Sequence, residues 1–176
     1  MLLLRWSMLE KINIVKYECL LAMAKSHVDV DLPALETTLA LLLVAEQVQA
    51  AMERNLGCFN LSRGRFKVLI ELMVAPEARL TPADLASKID VSRGTMTGLL
   101  DALAKEHLIE RQPSAEDRRT IFIQITAAGL ALIQRMLPEN FERTAKLMQY
   151  LAPLEKQTLV DLLVKVKDGI GAYQKR

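Results

Sequence analysis

Two groups of residues in this sequence have the types and spacing to hold a polyanion. The first is Ser92-Arg93-Gly94-Thr95, continued by Thr97 and Gly98, where a new apolar period begins; the second is Asp117-Arg118-Arg119, within the polar stretch that opens at Pro113. A serine capping a helix leaves free N–H groups and the positive end of the helix dipole beside it, an environment that favours phosphate. Short side chains around one arginine let such a helix sit deep in a major groove. An arginine pair at a turn tip suits the minor groove, where negative potential is concentrated, although most surface arginine pairs are only solvated charge. Catalysis has no comparable footing: there is no Ser/His/Asp order, glycine-rich phosphate loop or HExxH, so no catalytic residue and no cofactor are assigned.

Weaker constellations have blander explanations. Cys58 follows Gly57 at an expected helix end, with Arg54, Arg63 and Arg65 close enough in sequence to favour a thiolate, which makes it the candidate redox site; an ordinary bystander thiol is the competing reading. Cys19 lies on an apolar stripe and belongs with a core. His27, Asp29 and Asp31 alternate as metal ligands could, yet in a polar linker they read as capping and solvated residues, and no metal is expected. His107 suits a helix C-terminus, and the eight Met read as packing rather than as a pocket lining.

The elements that must position the two basic groups follow from periodicity. Met8, Ile12, Val15, Cys19 and Met23 draw one stripe along an N-terminal helix. Pro33 suits the first turn of a second helix that ends at Gly57 and, apolar on two faces, is expected to be packed on both sides. A third helix runs from Ser62 to Val74. Thr81-Pro82-Ala83-Asp84 reads as a capping box opening a short helix through Lys88, and after Ile89-Asp90-Val91 the Ser92 cap starts a longer one with Met96, Leu99, Leu100 and Leu103 on one face. Small Ala86 at the crossing and Asp90 in the turn complete helix-turn-helix spacing.

From Ile109 the period becomes two. Ile121, Ile123 and Ile125 alternate with Phe122 and Gln124 in a strand from Thr120, whose expected partner is 109–112, so a two-stranded hairpin carries Arg118 and Arg119 at its tip as a wing. Thr126 caps a long helix, kinked or broken near Pro138, and Pro153 restarts helix with Leu159, Leu162, Leu163, Val166 and Ile170 as its stripe. The expected class is mainly α with a small β-hairpin. Helical segments at 1–60 and 126–176 are expected to flank a compact winged helix-turn-helix lobe at 61–125.

Composition bounds these readings. The 176 residues are 51% hydrophobic and 25% charged, enough for one globular domain with apolar surface left for a partner subunit, and two Cys are too few for a disulfide framework. No stretch reaches the roughly 20 apolar residues of a membrane span, and no signal peptide is legible, so the cytoplasm is the expected location and no membrane partner is expected. Net charge is only +2, and residues 61–125 hold ten Lys/Arg against nine Asp/Glu. Attraction for DNA must therefore come from sorted faces, with Arg63, Arg65, Lys67, Arg93, Arg118 and Arg119 toward the duplex.

Between about Leu61 and Gly129 the chain resembles the MarR family of transcriptional regulators, named for multiple antibiotic resistance. The resemblance rests on Leu80-Thr81-Pro82-Ala83-Asp84-Leu85-Ala86, Val91 through Asp101, His107-Leu108-Ile109-Glu110-Arg111, and Asp117-Arg118-Arg119 followed by Ile125-Thr126-Ala127-Ala128-Gly129. It implies a homodimer with interlocked terminal helices whose two lobes read double-stranded DNA at a pseudo-palindromic operator, a repressor whose affinity responds to a small-molecule effector, often an aromatic anion. Carried onto this chain, it puts DNA contacts on Ser92, Arg93, Thr95 and Thr97 and a wing contact on Arg119, oriented by Asp117 with Arg118 beside it. Ser114-Ala115 stands where the family often has Asp-Pro, and Gly98 where an arginine is frequent. Two other readings stay open: a winged-helix protein-interaction module without direct DNA readout, and a cysteine-based redox-sensing regulator.

Overall fold

The computed structural model describes residues 22–23, 30–114 and 120–174. The chain divides into two compact units, Met1–Ser62 and Arg63–Arg176. In the first, Asp31 caps helix α1 (Leu32–Gly57), its carboxylate accepting the Ala34 N–H at 3.0 Å, and Pro33 stands in the first turn. Leu39, Leu43 and Leu56 are buried, whereas Leu42, Val44 and Met52 are exposed, so in the single chain α1 is covered on one face rather than two. The expected helix around Met8 to Cys19, with His27 and Asp29, lies outside the described residues; Asp31 serves as a helix cap.

The second unit runs α2 (Arg63–Val74), a turn of 3-10 helix (Pro76–Ala78), β1 (Arg79–Leu80), α3 (Pro82–Ile89), α4 (Arg93–Lys105), β2 (Ile109–Pro113), β3 (Ile121–Ile125), α5 (Ala127–Leu147) and α6 (Pro153–Gln174). Helices α2, α3 and α4 pack pairwise around Leu69, Leu72, Leu85, Met96, Leu100 and Leu103, all essentially inaccessible to water. Each such side chain contributes about 1.5–3 kcal/mol by leaving water.

The expected two-stranded hairpin is a three-stranded antiparallel sheet in the order β1-β3-β2, with Leu80 opposite Ile123 and Arg111 opposite the same residue from the other side. The added strand has two residues, too few to show a period of two in sequence. Ile123 and Ile125 are buried as the alternation requires, but Ile121 is exposed, lining an open cleft opposite Arg93, Met96 and Thr97 of α4. Helix α5 is not broken at Pro138. Gln134, whose carbonyl Pro138 leaves without an N–H partner, is exposed, so water can serve it, and ion pairs Glu139–Arg143 and Glu142–Lys146 support the turns that follow. The Glu142 carboxyl is held below its ordinary value by the Lys146 hydrogen bond and charge.

Where α4, β2 and α5 meet, the backbone approaches itself closely. The Thr126 N–H donates to the Leu108 carbonyl at 3.1 Å and the Thr126 hydroxyl to the His107 carbonyl at 2.7 Å. One turn into α5, a Cβ on Gly129 would stand 2.2 Å from the Leu108 carbonyl oxygen and 2.8 Å from Ile125 Cγ1. Backbone cannot move aside as a flexible side chain can, so Gly129→Ala is expected to destabilise the second unit by about 2–3 kcal/mol, read as a lower denaturant midpoint. An unchanged midpoint would contradict this account of the junction.

Candidate nucleic-acid interface

The short helix α3 exists because its first turn is closed on itself. The Thr81 hydroxyl accepts the Asp84 N–H at 3.2 Å while the Asp84 carboxylate accepts the Thr81 N–H at 3.4 Å, with Pro82 at the first helical position. Asp90 ends the helix in the left-handed region, at φ 56°, and the Val91 N–H returns to the Ala86 carbonyl at 3.0 Å. This reversal lets α4 start at once across α3. Aspartate is among the few side chains that accept such a backbone, which is why the turn needs no glycine.

Ser92 caps α4, its hydroxyl accepting the Thr95 N–H at 3.1 Å and lying 2.9 Å from the Thr95 hydroxyl. Met96, Leu100 and Leu103 turn inward. The residues between them turn outward: Ser92, Arg93, Gly94, Thr95, Thr97 and Gly98 are all exposed. Space beyond Gly98 is open to at least 4 Å, and Thr97 is steadied by a 3.0 Å hydrogen bond to the Arg93 carbonyl. One helix thus presents a greasy face to the core and a short-chained polar face, with one arginine, to solvent.

Beside this face lies an open cleft of about 570 Å³ whose walls include Thr81, Pro82, Arg93, Thr97 and Thr120. It separates the starts of α3 and α4 from the hairpin and is bordered by three threonines, of which only Thr97 is expected at the site from sequence. Their juxtaposition comes from elements distant in sequence, and only the capping pattern at Thr81 gave any local signal.

The arginines are not equivalent. Arg63 is exposed at the start of α2. Arg65, expected to face the duplex, instead lies 2.5 Å from Glu106, with its side chain only 15% exposed, and ties α2 to the end of α4. That ion pair spans 41 positions of sequence and had no local signature. Asp117, Arg118 and Arg119 lie outside the described residues; on either side of them in sequence, the Ser114 N–H donates to the Thr120 carbonyl at 2.9 Å. Cys58 is exposed at the end of α1 in the other unit, its thiol donating to the Arg54 carbonyl at 3.5 Å.

A model described as MarR family matches residues 61–121. The chain is 32% identical over 162 residues to the HTH-type transcriptional repressor YetL of Bacillus subtilis (strain 168), an alignment covering 92% of this chain and 97% of that relative. It is 28% identical to the HTH-type transcriptional regulator PecS of Dickeya dadantii (strain 3937), over 79% of this chain and 84% of PecS. Wild-type apo MarR from E. coli superposes with a TM-score of 0.62 at 26% identity, over 72% of this chain and 93% of that one. A mutant MarR from E. coli complexed with operator DNA shares the fold, with a TM-score of 0.65 at 24% identity, over 78% and 98% of the respective chains.

The cap at Ser92 has a measurable consequence. Ser92→Ala removes the acceptor for the Thr95 N–H and is expected to cost about 1 kcal/mol of stability, with Ser92→Asp retaining most of it. Equal thermal midpoints for the alanine variant and the parent would show that the cap carries no such weight.

Proposed function

Because the chain belongs to the MarR family, we propose that it is a dimeric, sequence-specific DNA-binding transcriptional regulator, a repressor whose DNA affinity responds to a small-molecule effector. The observation that carries this reading is the exposed face of α4, where Ser92, Arg93, Gly94, Thr95 and Thr97 lie together at a capped helix start. Free N–H groups there receive a phosphate, Arg93 has the planar fork that reads a guanine edge, and the short neighbours admit the helix to a major groove. A protein-binding winged helix would be expected to carry large apolar side chains on this face, and none of these residues is one.

Arg119, oriented by Asp117 and flanked by Arg118, supplies the wing contact, and Arg63 adds a backbone contact from the start of α2. Arg65 acts indirectly, by holding α2 on α4 through Glu106. Residues 1–60 and 126–176 serve dimerisation around the lobe of 61–125. Support for a second copy comes from α6, all of whose residues are exposed in the single chain although Leu159, Leu162, Leu163, Val166 and Ile170 are apolar. Burial of such a stripe against a partner is the ordinary remedy. The effector belongs to the class that the family resemblance implies, a small aromatic anion, and a regulator of this kind works in the cytoplasm with the DNA.

Selection of duplexes from a random pool by the full-length protein tests the reading. Enrichment of a pseudo-palindrome is expected, and failure to enrich any sequence would end it. On the selected duplex, Arg93→Ala and Arg119→Ala are each expected to weaken binding at least about tenfold with the fold intact. Unchanged binding by either would remove that arginine from the interface. Leu162→Asp combined with Leu163→Asp is expected to yield monomer or unfolded chain in sedimentation equilibrium, and a folded dimer would place the subunit interface elsewhere.

A further inference from the structure

The hairpin is held by two different means along its length. Its base is buried: Ile109, Ile123 and Ile125 are core residues. Its outer half is not, since every described side chain in 110–114 and 120–122 is exposed or half-buried. Two arginine contacts fasten that outer half, one on each face of the sheet. Residues paired across an antiparallel ladder share a face, so Arg111, opposite Ile123, lies on the face turned to the helices, and its guanidinium meets the Asp101 carboxylate of α4 at 2.6 Å. Arg79, opposite Gln124, lies on the other face with Phe122 and covers that ring at 4.7 Å from its centre, while Glu77 pairs with the same guanidinium.

We infer that Arg111 and Arg79 are positioning residues for DNA binding: they set the pose of the wing relative to the exposed face of α4, a task that burial does not perform beyond the hairpin's base. This rests on the DNA-binding reading above. Asp101 is two helical turns beyond Arg93 and one beyond Thr97, so the Arg111 contact references the wing directly to the helix proposed to read bases. It also neutralises a carboxylate that would otherwise stand near incoming phosphates. Arg79 braces the hairpin from behind through a ring on β3, and the two contacts share no partner, so their effects are expected to add.

Hydroxyl-radical footprinting and affinity measurements on the pool-selected duplex separate the possibilities. Arg111→Ala is expected to weaken binding about fivefold, Arg79→Ala similarly, and the double variant about 25-fold. Protection of the sugars at the outer flank of each half-site should fade while protection of the backbone bordering the central major groove persists. The charge exchange Asp101→Arg with Arg111→Asp rebuilds the ion pair with reversed polarity and is expected to return affinity to within about twofold of the parent, where Arg111→Asp alone does not. An exchanged variant as weak as Arg111→Asp, or alanine variants whose flank protection matches the parent's, would overturn the positioning role while leaving DNA binding itself intact. Absence of any protected half-site with the parent protein would instead remove the functional reading, and this inference with it.

Discussion

The contact on which the second unit depends is the approach of the Leu108 carbonyl to the first turn of α5, possible only because residue 129 has no side chain. That carbonyl accepts the Thr126 N–H, the neighbouring His107 carbonyl accepts the Thr126 hydroxyl, and the end of α4, the start of β2 and the end of β3 are thereby drawn to one point. His107 itself adopts the left-handed conformation, φ 57°, that turns the chain out of α4 into the sheet. Everything that acts outside the core is cantilevered from this junction: the hairpin on one side and α5 on the other. The first turns of α5, with Gly129, Ile133 and Met136 buried, are thus part of the lobe's construction as well as the start of the C-terminal helices.

Charge is used sparingly and by position. Residues 61–125 are nearly balanced, and the structure shows where the balance goes: Arg65 to Glu106, Lys88 to Glu71, Arg111 to Asp101, Arg79 to Glu77. Apart from the largely buried Arg65–Glu106 contact, these pairs are exposed and contribute little stability each, about 0–1 kcal/mol, so their value lies in orienting the elements they join. Arg93 and Arg63, standing at helix starts, remain on the surface. A lobe that commits four of its ten cations to internal geometry leaves fewer for a polyanion, which makes two lobes acting together the natural arrangement for tight binding.

Much of this was legible in the chain because it is local. The Thr81-Pro82-Ala83-Asp84 box, the Ser92 cap, the 3.6 period of Met96, Leu100 and Leu103, and the alternation of Ile123 and Ile125 each involve neighbours within one turn or one strand, and each element formed where its pattern placed it. What escaped involves partners far apart: Arg65 with Glu106, the two-residue strand at Arg79–Leu80, the ring of Phe122 under Arg79, and the meeting of Thr81 and Thr120 with Thr97 around the cleft. Apolar pattern also overstated coverage. Helix α1 has two apolar faces, and the single chain buries only one, because periodicity records what a face prefers and not whether another surface reaches it.

The sequence by itself determined the order and type of the elements, the capped start of α4 with its polar face, and the family to which the chain belongs, since capping, periodicity and motif spacing are properties of contiguous residues. Tertiary structure alone decided which arginines are consumed by packing, which brace the hairpin, and why position 129 must be glycine. Those depend on distances between atoms brought together by folding, and an ion pair or a steric clash has no signature in sequence until the backbone has closed around it.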